Sequence, residues 1–194
     1  MTRFSIHTEA TAPTGSREIL ASLVEAVGFA PNVYGVVAAS PAALEGLAAL
    51  NAAFARSSLT EAEREVVQLA ASAENGCRYC VAGHTVFAAA AGIDDETIRA
   101  ARLGLAVAEP RLEALHRFTR ALVRERGHVD ADAVEAFLAA GFTRAEAIEV
   151  VLGVACKFFT NLAATAFDVP IDAAFQPEAR RAAQPAAERS SVDG

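Results

Sequence analysis

The chain contains no tryptophan, and aromatic residues make up only 7% of its 194 positions. A core with so few large rings must be packed from small aliphatic side chains. Basic residues are also short, 17 against 24 acidic ones, for a net charge of −7. With no basic face to neutralise phosphates, nucleic acid is excluded as a partner. The opening stretch MTRFSIHTEATAPTG lacks the apolar run of a secretory signal. The most apolar long stretch, AIEVVLGVACKFFTNLAATAF, is interrupted by Glu149, Lys157 and Asn161. It reads as a buried helix, so no membrane is expected. No segment shows the strict alternation of a half-buried strand. Three cysteines leave one unpaired, which excludes a disulfide scaffold. The expected location is the cytoplasm, where a close cysteine pair serves redox or metal chemistry more often than a permanent bridge.

What is present is apolar and helix-forming. The hydrophobic fraction is 53%, rich in Ala and Leu, enough for one domain with a real core. Residues 1–15 read as a flexible arm, 16–175 as the folded domain, and 176–194 as a solvated, disordered tail. Within the domain, start and stop signals recur. Ser16, Ser40 (followed by Pro41), Asp94 and Asp130 are N-caps, and Thr60 with Glu63 and Thr143 with Glu146 form capping boxes. Gly76, Gly92, Gly127 and Gly141 end helices. The expected fold class is all-α, with seven or eight helices. LTEAEREVVQLA and FTRAEAIEVVLGVA echo one another, consistent either with two similar helix pairs about a pseudo-twofold axis or with two ordinary capped helices.

The chemistry concentrates in AENGCRYCVAGHTVF. Asn75-Gly76 ends one helix, which places Cys77 near the first turn of the next. At about 100° per residue, Cys80 lies roughly 60° round from Cys77 and His84 falls between them in angle, so all three point into one sector. Cysteines three apart on a helix have Cα atoms roughly 5 Å apart, within disulfide range. The helix N-terminus favours a thiolate at Cys77, and the neighbouring imidazole favours one at Cys80. These two arguments do not choose between the thiols. Glu65, twelve residues before Cys77, is a candidate to orient or deprotonate His84. Periodicity alone also fits a solvated glutamate at that position. The same four residues could hold zinc, although they lack the usual second Cys/His pair. Cys156, amid GVACKFF, reads as a small core residue. His116 and His128 read as surface or capping residues, and Asn161 as bonded to a backbone group.

A glutamate twelve residues before C-x-x-C, with a histidine four residues after it, resembles the alkylhydroperoxidase-D / carboxymuconolactone decarboxylase family. EVVQLAASAENGCRYCVAGHT carries the motif, and GFTRAEAIEVVLGVACKFFTNLAATAFDVPID is similar to the family's C-terminal helix. The resemblance spans residues 15–175. It implies an all-helical antioxidant fold assembled as trimers or hexamers, acting as a thiol-dependent peroxidase without a bound cofactor or metal. Carried over, it makes Cys80 the peroxidatic thiol and Cys77 the resolving one. It makes His84 and Glu65 a proton relay, with a dithiol reductant, sometimes a lipoyl group, restoring the pair. Where the family often has histidine before the second cysteine, this chain has Tyr79, a phenol able to donate a hydrogen bond. A lactone-branch lyase, which needs no thiols, and a redox- or zinc-responsive binding protein are the alternatives.

Overall fold

The structure, a computed structural model, describes residues 4–177. Among these residues it is all-α: α1 (Thr14–Val27), α2 (Asn32–Val37), α3 (Pro41–Ala55), α4 (Glu61–Glu74), α5 (Arg78–Ala90), α6 (Asp95–Leu103), α7 (Pro110–Arg124), α8 (Ala131–Ala139), α9 (Arg144–Ala166) and a closing 3₁₀ turn, Ala173–Phe175. Most of the expected disordered tail, 178–194, lies outside the described residues. Ser40, Asp94 and Asp130 cap as their sequences indicate.

Among the described residues there are nine α-helices, not seven or eight, because α2 carries no local signal. It is six residues long, preceded by Pro31, without a side-chain cap, and holds a glycine and three valines. Tertiary contacts hold it instead. Val33, Val36 and Val37 are buried, and the Asn32 N–H donates to the Asp172 carboxylate at 3.0 Å. The expected cap at Ser16 is also corrected. α1 starts at Thr14 without a side-chain cap, and the Ser16 hydroxyl donates across the fold to the Ala38 carbonyl at 2.8 Å. His116, expected at the surface, is 1% exposed inside α7, where burial pushes its pKa down. It sits on the inward face of an amphipathic helix beside Leu115 and Thr119, a position its polarity disguises.

α4 and α9 are the central pair. α4 packs against α5, α7 and α9, while α9 runs along α3 and α4. Gly153 permits the close approach: a Cβ there would stand 2.6 Å from the Phe54 ring and 2.8 Å from Val67. α9 is long and apolar enough to cross a membrane by length and composition. Here it is a core helix, with Lys157 and Asn161 both buried.

The sequence echo has a counterpart at the starts of these two helices. Both capping boxes form: the Thr60 N–H donates to Glu63 at 2.8 Å and the Thr143 N–H to Glu146 at 2.7 Å. One guanidinium joins the two boxes. Arg111 Nε donates to Glu63 at 2.7 Å and Nη2 to Glu146 at 3.3 Å, and the group lies 3.6 Å from the Phe142 ring centroid. Burial alone would raise the Glu63 pKa, but the Thr60 N–H, the Arg111 guanidinium and the Thr60 hydroxyl outweigh it and hold the carboxyl low.

Arg111→Met leaves the buried Glu63 without its counter-charge, held by Thr60 alone, with an expected loss of about 2 kcal/mol in urea unfolding. A carboxyl lowered on folding stabilises above its unfolded pKa of about 4.3, and that contribution is lost as pH falls through the folded value. The gap between wild type and variant is therefore expected to narrow below about pH 4. A gap that widens there would show that Glu63 is not the group affected.

Candidate active site

α4 turns into α5 through Asn75 and Gly76, whose φ of +66° favours glycine. Cys77 is the N-cap of α5, with its Sγ accepting the Cys80 N–H at 3.4 Å in place of the usual capping oxygen. Cys77, Cys80 and Cys156 are all buried free thiols. One turn beyond Cys80, His84 Nδ1 lies 2.8 Å from the Glu65 carboxylate. Its Nε2 lies 2.5 Å from Lys157 Nζ. Cys77, Cys80, His84 and Glu65 are thus brought to one place, with Lys157 added.

α9 forms the facing wall. Lys157, Asn161 and Thr165, four residues apart, present one face to the thiols. Asn161 helps to lower the Cys80 thiol, and Thr165 opposes the rise of the Cys77 thiol. Asn161 is fixed in turn, accepting from Asn75 Nδ2 at 2.8 Å and donating to the Ser72 hydroxyl at 3.4 Å. These side-chain partners correct the backbone bond expected for it.

The two thiols are electrostatically unlike. A hydrogen bond from the Cys77 thiol lowers the Cys80 pKa. Burial opposes this, and Lys157, His84 and Asn161 reinforce it, leaving Cys80 well below the ordinary thiol range. Cys77 moves up, through the hydrogen bond it gives to Cys80 and through burial. The choice that dipole and imidazole arguments left open in the sequence therefore falls to Cys80 as the more acidic thiol.

Beside them lies a cavity of about 300 Å³. Its lining includes the polar groups of Cys80, His84, Glu65 and Lys157 and the rings of Tyr34, Phe54, Phe87 and Phe175. Cys77 is not on the wall; it stands behind Cys80. Among the described residues no group of three or more His, Cys, Asp or Glu is placed to hold a metal ion.

The model of the Carboxymuconolactone decarboxylase family (CMD) matches residues 38–121, from the end of α2 into α7 and across the whole dithiol segment. Over that stretch the chain is similar to the carboxymuconolactone decarboxylase family. Three solved structures share its fold. An uncharacterized peroxidase-related protein from Ralstonia eutropha JMP134, described as an alkylhydroperoxidase AhpD core, has a TM-score of 0.81 at 24% identity, covering 90% of this chain and 94% of that one. A cysteine-to-alanine variant of the debrominase Bmp8, in complex with 2,3,4-tribromopyrrole, has a TM-score of 0.79 at 18% identity, covering 93% and 99%. An uncharacterized peroxidase-related protein from Silicibacter sp. TM1040 has a TM-score of 0.76 at 20% identity, covering 90% and 97%. At these identities the likeness establishes an AhpD-like fold. No curated protein matches the chain.

In this chain the residue before the second cysteine, Tyr79, has a structural partner. The Tyr79 hydroxyl donates to Asp172 and accepts the Val33 N–H at 3.2 Å, tying α5 to α2 and to the segment before the 3₁₀ turn. Burial and the Asp172 bond push its phenol far up. Lys157 is the functional candidate that motif reasoning missed. Its signal was present as polar residues at 157, 161 and 165, one stripe along the C-terminal half of a largely apolar helix.

Proposed function

We propose that the protein is a thiol-dependent peroxidase that reduces hydroperoxides through a Cys77–Cys80 disulfide cycle. The observation that carries this reading is that the more acidic thiol, Cys80, faces a partly apolar cavity while a second thiol waits one turn behind it. The Cys80 thiolate attacks the peroxide: an S–O bond forms, the O–O bond breaks, and the departing oxygen takes a proton to leave as alcohol or water. The Cys77 thiol then displaces hydroxide from the Cys80 sulfenic acid, giving the disulfide and water. An external dithiol, such as a lipoyl-bearing protein, returns both thiols and leaves as its own disulfide. Glu65 and His84 serve proton movement. A reducing compartment such as the cytoplasm suits this cycle. The aromatic walls and the cavity volume, about ten water shares of ~30 Å³ each, favour compact organic hydroperoxides over long-chain ones.

The test is consumption of cumene hydroperoxide by the full chain with dihydrolipoamide as reductant, following disulfide formation by mass. Sustained turnover supports the reading. Turnover no faster than that of free cysteine overturns it. Activity on a lactone acid that survives replacement of both Cys77 and Cys80 would install the lyase alternative.

Self-association belongs to the same proposal. Ile148, Val151, Phe158 and Leu162 are exposed at 71%, 46%, 36% and 65%. With the exposed Ala155 they follow a 3-4-3-4 spacing along α9, the seam a partner helix covers. A second copy of the chain is the expected occupant, in a trimer or hexamer. Ile148→Glu with Leu162→Glu is expected to lower the solution mass to that of the monomer with helix content kept. Wild-type protein that is already monomeric at micromolar concentration would overturn the assembly.

A further inference from the structure

Lys157 is a buried cation that the reaction written above does not use. Burying an ammonium is unfavourable unless its charge is matched. Its Nζ lies 2.5 Å from His84 Nε2, and an amine and an imidazole nitrogen share one proton in such a bond, not two. The other ring nitrogen faces the Glu65 carboxylate at 2.8 Å, which can only accept. Nδ1–H therefore donates to Glu65, Nε2 accepts, and the proton of the second bond belongs to Lys157. His84 has no nitrogen left for a thiol or a substrate.

The remaining groups around Cys80 can be taken element by element. From α4, Arg64 also lines the cavity, but its guanidinium donates to the Leu59 carbonyl and does not release a proton. Glu65 is committed to His84. From α5, the Tyr79 proton is committed to Asp172, and Cys77 must keep its proton until the second step. From α2, burial pushes the Tyr34 phenol up to about 12, with Cys156 and Cys80 adding to the rise. Within α9, Cys156 is raised by burial, although Lys157 opposes the rise. Lys157 alone in this set combines a labile proton, a place on the cavity wall it shares with Cys80 and a positive charge that favours the Cys80 thiolate.

Resting on the peroxidase reading, we propose that Lys157 is the proton donor of the site: its ammonium holds Cys80 as a thiolate and then protonates the oxygen that departs when Cys80 attacks. The step balances as thiolate, ammonium and ROOH giving sulfenic acid, amine and ROH. The buried negative and positive charges vanish together, so the cavity is left with no unpaired ion. The amine recovers its proton from water entering the cavity, because the bare Nε2 of His84 has none to hand on.

The experiment compares wild type, Lys157→Met, Lys157→Gln and Lys157→Arg, each checked for a cooperative melt. One readout is the pH dependence of Cys80 alkylation by iodoacetamide, resolved from Cys77 by peptide mass. The other is the single-turnover rate with cumene hydroperoxide. The neutral variants are expected to raise the alkylation midpoint by about one pH unit or more and to slow turnover by roughly 10². Either neutral variant that melts cooperatively suffices. Lys157→Arg keeps the charge but not the labile proton, so its midpoint stays near wild type while its turnover falls at least about tenfold. An unmoved midpoint in the neutral variants overturns the thiolate-holding role, and Lys157→Arg turning over at the wild-type rate overturns proton donation. Wild type with a low midpoint but no peroxide turnover overturns the peroxidase reading and the donor role together, and supports the thiolate-holding role.

Discussion

Cys80→Ser is expected to lower hydroperoxide consumption by at least about 10³-fold, the scale on which losing a covalent nucleophile falls. Cys77→Ser is expected to leave one oxidation per chain intact and to stop the cycle there. The asymmetry follows from position and charge. Cys80 lies on the cavity wall, and its thiol is lowered by the Cys77 hydrogen bond against burial, with help from Lys157, His84 and Asn161. Cys77 lies off the wall with its thiol raised, fit for a second step in which it gives up its proton as the disulfide forms. A third variant sharpens the test. Serine at 77 can still donate a hydrogen bond to the Cys80 sulfur, whereas alanine cannot. First-turnover oxidation is expected to stay within about threefold of wild type in Cys77→Ser and to fall about tenfold in Cys77→Ala at neutral pH. In wild type the oxidation rate should rise with pH through the Cys80 pKa and level off below the ordinary thiol value of about 8.5. In Cys77→Ala that rise moves to higher pH. Stopped-flow oxidation with trapping of the sulfenic acid measures all three. Equal losses from the two serine variants would remove the assignment of roles.

Much of the architecture was readable because it is written in local chemistry. Thr60 with Glu63 and Thr143 with Glu146 announce their helices, and both boxes form as spelled. Cys80 and His84 were readable for the same reason, since they lie one turn apart on α5, whereas Cys77 caps that helix with an extended backbone and stands off the cavity wall. What escaped depends on distant partners. α2 is held by Asp172, 140 residues away, and Arg111 ties two caps that are remote in sequence. His116 and Asn161 were misplaced because polarity alone does not say which side of an amphipathic helix will meet a neighbour. Lys157 first served only as evidence against a membrane span. The same observation, a charge inside an apolar helix, equally marks a residue that must find a partner once buried.

Glu65→Gln is expected to slow single-turnover oxidation by roughly 10² while shifting stability by less than about 1 kcal/mol. Glu65 is partly exposed and makes one contact of consequence, to His84 Nδ1 at 2.8 Å. Folding therefore loses little when its charge is removed. The site loses more, because the carboxylate accepts only, which fixes the proton on Nδ1 and turns the bare Nε2 towards Lys157. A glutamine amide can present either its oxygen or its nitrogen to the ring, so the tautomer is no longer imposed. His84 can then carry Nε2–H, which opposes the Lys157 ammonium instead of accepting from it. If Glu65 acts only through this chain of bonds, its substitution should add little once Lys157 is already methionine. The Glu65→Gln, Lys157→Met double variant is expected to lie within about threefold of Lys157→Met alone, a coupling comparable to the whole effect of the single change. Additive losses would mean that Glu65 acts on the reaction by some path other than His84 and Lys157.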